Sequence, residues 1–470
     1  MDPAGARALA RLPSPMDVPD ARVRIRESLH ARRTKVVVID DDPTGTQTVR
    51  SVPVLTGWAD ADLAWALSRP EHLVVVNTNS RSLSEHEARA INEDLGERLA
   101  GTAAAQGIDL RCLSRSDSTL RGHFPAETRA LEKGLGRAGM AIDGTILCPA
   151  FLEAGRLTVG DTHYVRNGDR VIPVATTEYA RDRVFAYADS DLREWAVGRG
   201  VDRGVIASLA LEDMRVEGPG YVTRRLLDAR GDAVVIANVA HPADLDVLVL
   251  GLLEAEAAGA RFLYRTGPSF VGVRGGQEQS VPLTGDEIPV GPGSGLLVVG
   301  SHTALTTRQL ARAQTRHGLE TVELRVPEIA AGRWADEARR AGFLLAGALR
   351  RGDAALVTSR LFDDAGGAAA SQDLGRRVAD ALVETVAGLD PDLPLAWIVA
   401  KGGITSSELA TRGLGASRAI VAGQLFPGLV SLWVLGEGSR RPNVPLVVFP
   451  GNVGGDDALA EALGRLTGRG

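Results

Sequence analysis

The chain is poor in cysteine and in long apolar runs. Its 470 residues include two cysteines, Cys112 and Cys148, which stand in no C-x-x-C pattern and build neither a disulfide framework nor a zinc site. No stretch of about 18 uncharged apolar residues occurs, which argues against a membrane span. The first residues lack the apolar core of a signal peptide. These absences predict a cytoplasmic protein without a membrane partner.

Lysine is also scarce, and acidic residues outnumber basic ones. The formal net charge is −6, which argues against nucleic acid as a partner because binding to a phosphate backbone needs a basic surface. The lysines are Lys35, Lys133 and Lys401, so each is a candidate for a specific role. Neither G-x-x-x-x-G-K-[ST] nor strand–G-x-G-x-x-G occurs, which excludes a P-loop or a Rossmann dinucleotide site by motif.

Short apolar runs alternate with helical patterns along the whole chain. These runs are rich in Val, Ile and Leu without polar alternation, which is typical of strands buried on both faces of a parallel sheet. They lie at 35–40, 72–78, 143–150, 204–210, 233–239, 295–300, 354–359, 395–400 and 445–450. The β-α-β-α order predicts an α/β protein, and its length suits two α/β domains with mainly parallel sheets.

Composition changes suggest where the domains divide. The segment 266–295 is dense in Gly and Pro and lacks helical periodicity, so we expect a domain junction there. This leaves a lead-in over 1–34 that ends in a short helix, a first domain over 35–265 and a second over 296–470. The segment 163–182 contains an Asn-Gly turn signal and is predicted to be a β-hairpin. It is a candidate cover or oligomer contact, and the sequence leaves a homodimer open.

The first stretch with chemistry is VVVIDDDPTGTQT at 36–48. A buried strand runs directly into three aspartates, and ligands of parallel sheets bind at the carboxyl ends of strands. Adjacent carboxylates repel, so Mg²⁺ or a hydroxyl-rich substrate would stabilise them; a solvated turn is the alternative. The same pattern also opens haloacid-dehalogenase-type phosphatases, in which Asp40 would be the nucleophile and Asp42 the acid/base. Lys401 and the pair Asp456-Asp457 fit the rest of that motif set poorly.

Two further strand ends carry arginine beside hydroxyl groups. LSRSDSTLRGHF at 113–124 offers two arginines, Arg115 and Arg121, that can fork onto a carboxylate or phosphate. Within it, Asp117 could accept a proton from a hydroxyl. NTNSRSLS at 77–84 ends another strand with Arg81, although a plain helix cap explains its serines equally well.

The second domain contains glycine-bearing turns between strand and helix. They occur in VVGSHTALTTRQL at 298–310, AKGGITSSELA at 400–410 and FPGNVGGDDAL at 449–459. Such turns can present backbone N–H groups and helix N-termini to phosphates. Lys401 stands at the second turn, and we expect it to reach the β- or γ-phosphate of a nucleotide.

These motifs recur together in one order. They are Asp41-Asp42-x-Thr44-Gly45, DSTLRG at 117–122, PAFLEAGR at 149–156, GSHTALTTRQL at 300–310, GGITS at 402–406 and PGNVGG at 450–455. The set resembles the four-carbon acid sugar kinase family from about residue 35 to the end. That resemblance implies an N-terminal sugar-acid domain, a C-terminal ATP domain and an active site in the interdomain cleft. It also implies phosphorylation, with ATP and Mg²⁺, of the terminal C4 hydroxyl of threonate, erythronate or 3-oxo-tetronate.

The resemblance also implies residue roles. Either Asp117 or Asp41 would take or orient the hydroxyl proton. The substrate would contact Asp42, Arg81, Ser118, Thr119 and Arg121. ATP would contact Ser301, Lys401, Gly402, Gly403, Ile404, Thr405, Gly451, Asn452 and Gly454. A non-catalytic sugar-acid-binding protein is the remaining alternative.

The chain departs from the usual family pattern at several of these loops. The family usually has a small residue in place of Asp40 and an aliphatic one in place of Pro43. It has Asn in place of His123, an acidic residue in place of Ile404 and Lys in place of Phe449. These departures lie in the predicted substrate and nucleotide loops.

Overall fold

The computed structural model describes residues 9–42, 44–168, 170–229, 231–279, 281–360, 368–428 and 430–468. Pro43, one of the departures from the family pattern, lies outside the described residues. The chain divides into two compact units, Met1–Ser280 and Val281–Gly470. Within the described ranges, no helix is long and apolar enough to cross a membrane.

Unit 1 is built on a parallel sheet. Its strands are β1 Thr34–Asp40, β2 Val52–Leu55, β3 Leu73–Asn77, β4 Asp109–Arg115, β5 Gly144–Cys148, β9 Ile206–Leu209, β10 Ala233–Ala237 and β11 Phe262–Thr266. They lie in the order β2-β3-β1-β4-β11-β5-β10-β9, and neighbouring strands run parallel. In register, Asp40 stands opposite Asn77 on β3 and Arg115 on β4. The ends of β1, β3 and β4 therefore meet at one edge.

The helices of unit 1 follow its strands. They are α1 Ala21–Ala31, α2 Asp60–Ser68, α3 Glu85–Gln106, α4 Ala126–Arg137, α5 Leu192–Gly198, α6 Leu211–Glu217, α7 Pro219–Leu227, α8 Pro242–Ala257 and α9 Pro268–Arg274. A capping box of Ser84 and Glu87 starts α3, which satisfies N–H groups that the first turn leaves unpaired. Helices α3 and α4 pack closely because Gly134 has no side chain; a Cβ there would lie 2.1 Å from the Glu93 carbonyl oxygen.

A small antiparallel sheet branches from unit 1. It contains β6 Arg156–Val159, β7 Thr162–Asn167 and β8 Arg170–Pro173 in that order. Strands β7 and β8 flank the Asn-Gly pair at 167–168 and pair antiparallel, Val165 opposite Ile172. The predicted hairpin is therefore confirmed, with β6 as an additional strand.

Unit 2 has a mixed sheet. Its strands are β12 Ser294–Val299, β13 Glu320–Leu324, β14 Ala354–Thr358, β15 Leu395–Lys401, β16 Arg418–Phe426, β17 Val430–Leu435 and β18 Pro445–Phe449. Their order is β13-β14-β12-β15-β18-β17-β16, and the last two strands pair antiparallel. The helices are α10 Ala304–His317, α11 Val326–Ala330, α12 Trp334–Leu349, α13 Ala368–Ala387, α14 Gly403–Glu408 and α15 Ala458–Thr467. A π-helical turn, Leu409–Gly413, continues α14.

The predicted fold class is confirmed: both units are α/β, with mainly parallel sheets. The apolar runs predicted as strands are all strands, since their side chains are buried on both faces, as in β1 and β12. The predicted junction at 266–295 differs in one part. Its first residues form α9, a helix whose residues are all buried in unit 1, because Pro268 starts the helix and apolar Phe270 and Val273 anchor it.

Candidate active site

The strand ends of unit 1 bring the acidic and basic loops together. Arg81 donates from Nε to Asp41 Oδ2 (3.1 Å) and from Nη1 to Asp42 Oδ2 (2.8 Å), and it also pairs through Nη2 with Asp41. Burial alone would raise the pKa of Asp42, but the charges of Arg81 and Arg115 hold that pKa below its usual range. One arginine thus pairs with two neighbouring carboxylates.

The DSTLRG loop forms a second ion pair. Arg121 Nε donates to Asp117 Oδ2 at 2.7 Å, and the Thr119 hydroxyl donates to the same oxygen. Burial would raise the pKa of Asp117, yet the charges of Arg81 and Arg121 keep it well below its usual range. Arg121 also lies 5.3 Å from the ring centroid of Tyr179 and 3.6 Å from Asp182 Oδ2.

Asp40 lies beneath these groups and is buried. Its Oδ1 accepts from Arg115 Nη1 (2.9 Å) and from the Asp42 backbone N–H (3.0 Å). Its Oδ2 makes no hydrogen bond and stands where a Cβ on Gly45 would be, 1.6 Å away. Burial raises the pKa of Asp40 to about 7. A carboxyl packed against backbone cannot attack a phosphate, so the phosphatase alternative, with Asp40 as nucleophile, does not fit this geometry.

Sequence reasoning missed the side chains that support the DSTLRG loop from below. Arg265 on β11 donates to the backbone oxygens of Asp117 (3.1 Å) and Arg121 (3.0 Å). His163 on β7 donates from Nε2 to the Ser118 oxygen at 2.7 Å, and its Nδ1 lies 2.9 Å from Thr158 Oγ1. Burial lowers the pKa of His163 to about 4, so the ring is neutral. The signal that could have revealed Arg265 is an arginine within the otherwise mostly apolar segment FLYRT at 262–266.

The remaining predicted residues of unit 1 lie around the same loop. Ser118 and Thr119 are buried, and the Thr119 carbonyl oxygen accepts from the Tyr187 hydroxyl at 2.7 Å. His123, which replaces the usual Asn, is directed away: its Nε2 contacts the Leu83 oxygen at 3.1 Å, and its ring meets Phe185 edge-on. His123 therefore supports the entry of α3 and packs behind the loop.

In unit 2 the three predicted glycine turns converge. The Ser301 N–H donates to the Lys401 oxygen (3.3 Å), and the Gly402 N–H donates to the Phe449 oxygen (2.8 Å). The Thr303 and Thr306 hydroxyls both donate to the Gly451 oxygen at 3.0 Å. The structure thus brings together the turns after β12, β15 and β18.

These turns can approach only because they carry glycine. A Cβ on Gly300 would lie 2.2 Å from Thr405 Oγ1, and one on Gly451 would lie 2.8 Å from Ser301 Oγ. Gly454 has a φ of +80°, in the region that favours glycine. Ile404 is 65% exposed at the start of α14. Asn452 is also exposed on the last turn.

Lys401 is placed differently from the prediction. Its side chain is fully buried, its Nζ donates to the Pro450 oxygen at 2.6 Å, and the ammonium lies 4.1 Å from the ring centroid of Phe449. Burial lowers its pKa to about 7. Phe449, which stands where the family usually has lysine, supplies the aromatic ring of this contact. The ammonium of Lys401 therefore supports the turn after β18 through the Pro450 oxygen and offers no direct donor to a phosphate.

Two family models match the chain. Residues 36–274 match the sugar-binding N-terminal domain, and residues 296–459 match the nucleotide-binding C-terminal domain. A D-threonate kinase from Cupriavidus necator is 30% identical over 299 residues, which are 59% of this chain and 60% of that kinase. The match thus spans less than two thirds of the relative.

Solved structures share the fold. A Haemophilus influenzae protein of the DUF1537 family model superimposes with a TM-score of 0.62 at 18% identity, over 91% of this chain and 99% of that one. A Salmonella typhimurium LT2 protein gives a TM-score of 0.66 at 17% identity, over 91% and 98%. At this identity the likeness concerns the fold alone.

Proposed function

This chain belongs to the four-carbon acid sugar kinase family, and we propose that it transfers the γ-phosphate of ATP to the C4 hydroxyl of a four-carbon sugar acid. Threonate, erythronate and 3-oxo-tetronate are the candidate acids. The observation that carries the proposal is a cluster of two ion pairs at the strand ends of the sugar-binding domain. In it, Arg81 pairs with Asp41 and Arg121 pairs with Asp117. The D-threonate kinase relative supports the same substrate class.

The cluster suits a short hydroxy acid. Arg121 is 28% exposed in its side chain and Arg81 is 17% exposed, so both guanidinium groups can receive a carboxylate from solvent. The neighbouring carboxylates of Asp117 and Asp42 are acceptors for hydroxyl groups. A ligand with one carboxylate and several hydroxyls matches both kinds of group.

Asp117 or Asp41 would act on the C4 hydroxyl. The low pKa of Asp117 keeps it ionised at neutral pH, which suits a group that accepts and orients a hydroxyl hydrogen. Phosphoryl transfer depends mainly on positioning and charge neutralisation, so a weak base in the right place is sufficient. Phosphoryl transfer requires the sugar acid and the nucleotide to lie next to each other. The interdomain cleft, in which they would meet, stays a prediction.

The turns of the nucleotide-binding domain fit a polyphosphate. Their glycines leave space where a Cβ would collide with Ser301 or Thr405, and such turns expose backbone N–H groups to phosphate oxygens. Among the described residues, no group of three or more His, Cys, Asp or Glu side chains is arranged to hold a metal ion. We therefore propose that Mg²⁺ enters on the nucleotide phosphates, which neutralises their charge, with few ligands from the protein.

The test is an ATP assay with a panel of four-carbon acids. Purified chain should form ADP only when a suitable acid is present, and ³¹P NMR should show a phosphate monoester at C4. ATP and acid that bind without turnover would identify a sensor and contradict the kinase. Release of phosphate from 4-phospho acids without ATP would favour the phosphatase.

A further inference from the structure

Arg360 lies beside the glycine turns of unit 2. Strand β14 ends at Thr358 and pairs with β12, Val299 opposite Val357. The Thr358 hydroxyl lies 3.4 Å from both the Val299 oxygen and His302 Nε2. Arg360 therefore follows β14 at the edge where β12 opens into Gly300 and Ser301.

The guanidinium of Arg360 has few partners. Its Nη2 donates to Thr307 Oγ1 at 3.0 Å. Its Nε and Nη1 make no hydrogen bond, although both are shielded from water. Within the part of the chain that the structure describes, no carboxylate forms an ion pair with it, and burial alone lowers its pKa. Shielded donors without acceptors are costly, and among the described residues no carboxylate supplies this cation with a counter-charge.

Neighbouring arginines show the contrast. Helix α10, whose Thr307 contacts Arg360, carries two arginines that do have acidic partners. Arg308 Nε pairs with Asp456 at 2.9 Å, and Arg312 Nη1 pairs with Asp457 at 2.7 Å. His302 lies beside Arg360 and remains exposed; partial desolvation and the charge of Arg360 lower its pKa, so it adds no second cation at neutral pH. Among these described arginines, Arg360 is thus one that an incoming anion can pair with.

The contact with Thr307 places the guanidinium at the first turn of α10, which begins at Ala304. The N-terminus of a helix carries partial positive charge, so a cation there is unfavourable unless an anion is bound. The turn that leads into this helix carries Ser301, one of the predicted nucleotide contacts. The N-terminus of α10 and the guanidinium of Arg360 therefore both attract anions.

We propose that Arg360 contacts the phosphates of the bound nucleotide and supplies the cation that the buried Lys401 cannot. The assignment rests on the proposed kinase function. Because Nε and Nη1 have no hydrogen-bond partner in the present conformation, they are the donors of Arg360 that a phosphate oxygen would satisfy. The fork of an arginine suits this role because it can donate to two oxygens at once.

The test measures nucleotide binding without turnover. ATP, adenosine and inorganic phosphate are titrated into the full chain by calorimetry in the absence of any sugar acid. Arg360→Ala should weaken ATP binding about 10- to 100-fold, the range for loss of a charge-assisted hydrogen bond, and should change adenosine binding less than about twofold. Arg360→Lys, which keeps the charge without the fork, should lie between. The control is Arg351→Ala: Arg351 lies three positions before the start of β14, at the other end of the strand, and pairs with Glu320 on the surface. This variant should bind ATP like the parent.

Several outcomes would overturn the assignment. If the parent binds ATP and Arg360→Ala binds it within about twofold, Arg360 is not a phosphate contact and the kinase proposal stands. Equal loss of ATP and adenosine would indicate a general structural effect, as would a lowered melting temperature in both Arg360 variants. Arg360-dependent binding of inorganic phosphate without ATP binding would assign the site to a free anion. A parent that binds no ATP would refute the kinase function itself.

Discussion

Replacing Arg81 by methionine should destabilise unit 1 in a manner that depends on pH. Arg81 bridges Asp41, which is 3% exposed in its side chain, and Asp42. Removing one partner of a buried ion pair costs about 3–5 kcal/mol because the remaining charge loses its compensation. Since Arg81 retains some exposure, we expect about 3 kcal/mol, and therefore a melting temperature lower by about 6–12 °C.

The pH dependence identifies the cause. In the parent, the lowered pKa of Asp42 contributes stability above the pKa of the unfolded chain, and this stability is lost as the pH falls. Without Arg81 the buried Asp42 loses the larger of the two charges that lower its pKa, so that pKa rises and protonation of Asp42 removes part of the unfavourable free energy. The difference in melting temperature between parent and variant should be largest near pH 7 and smaller near about pH 5.

The assay is calorimetry of the full chain at several pH values. Arg98→Met is the matched control, because Arg98 also bridges two acids, Asp60 and Asp94, on the exposed surface; exposed pairs contribute little. The reasoning is refuted if Arg81→Met has the same melting temperature as Arg98→Met. It is also refuted if the difference in melting temperature between parent and Arg81→Met is the same at pH 5 and pH 7.

Three further results are expected. Asp117→Asn should lower kcat by about 10²–10⁴-fold if Asp117 takes or orients the hydroxyl proton; steady-state kinetics that show a loss below tenfold would remove it from that role. Lys401, with a pKa of about 7 when folded, binds fewer protons than in the unfolded chain between about pH 7 and 10, so parent stability should rise over that range. Lys401→Met should lack this rise in urea titrations, and an unchanged pH profile would contradict the burial argument. Gly134→Ala should destabilise unit 1 by about 1–3 kcal/mol, because the new Cβ would meet the Glu93 oxygen at 2.1 Å; a melting temperature equal to the parent's would show that α3 and α4 can separate without cost.

Much of the fold could be predicted because buried parallel strands are continuous apolar runs. Strands such as β1 and β12 have this pattern. The antiparallel strand β16 does not: it alternates buried and half-buried residues and contains Gly423 and Gln424, so its pattern resembles a loop as much as a strand. The helix α9 was hidden by its Gly- and Pro-rich surroundings.

The candidate site could be predicted in part for a similar reason. Residues that follow a strand directly, such as Asp41, meet at one edge by topology alone. Arg265 was missed because it lies inside a strand, and its role depends on the carbonyl groups above it. Lys401 was predicted to face a ligand, but the direction of a side chain at a strand end depends on local packing, here against Phe449.

The ion pair between Asp117 and Arg121 also affects how a substrate can enter. The guanidinium that would receive a substrate carboxylate already holds an internal one at 2.7 Å. Under the proposed function, a sugar acid would bind by exchange: its carboxylate would displace Asp117 from part of Arg121, and the freed oxygen of Asp117 would accept a hydrogen bond from a hydroxyl of the same ligand. Such an exchange would favour the binding of a molecule that carries both a carboxylate and a hydroxyl group. A simple carboxylate such as acetate would break the internal pair without supplying the replacement hydrogen bond, so at the proposed site the resting pair would select for hydroxy acids.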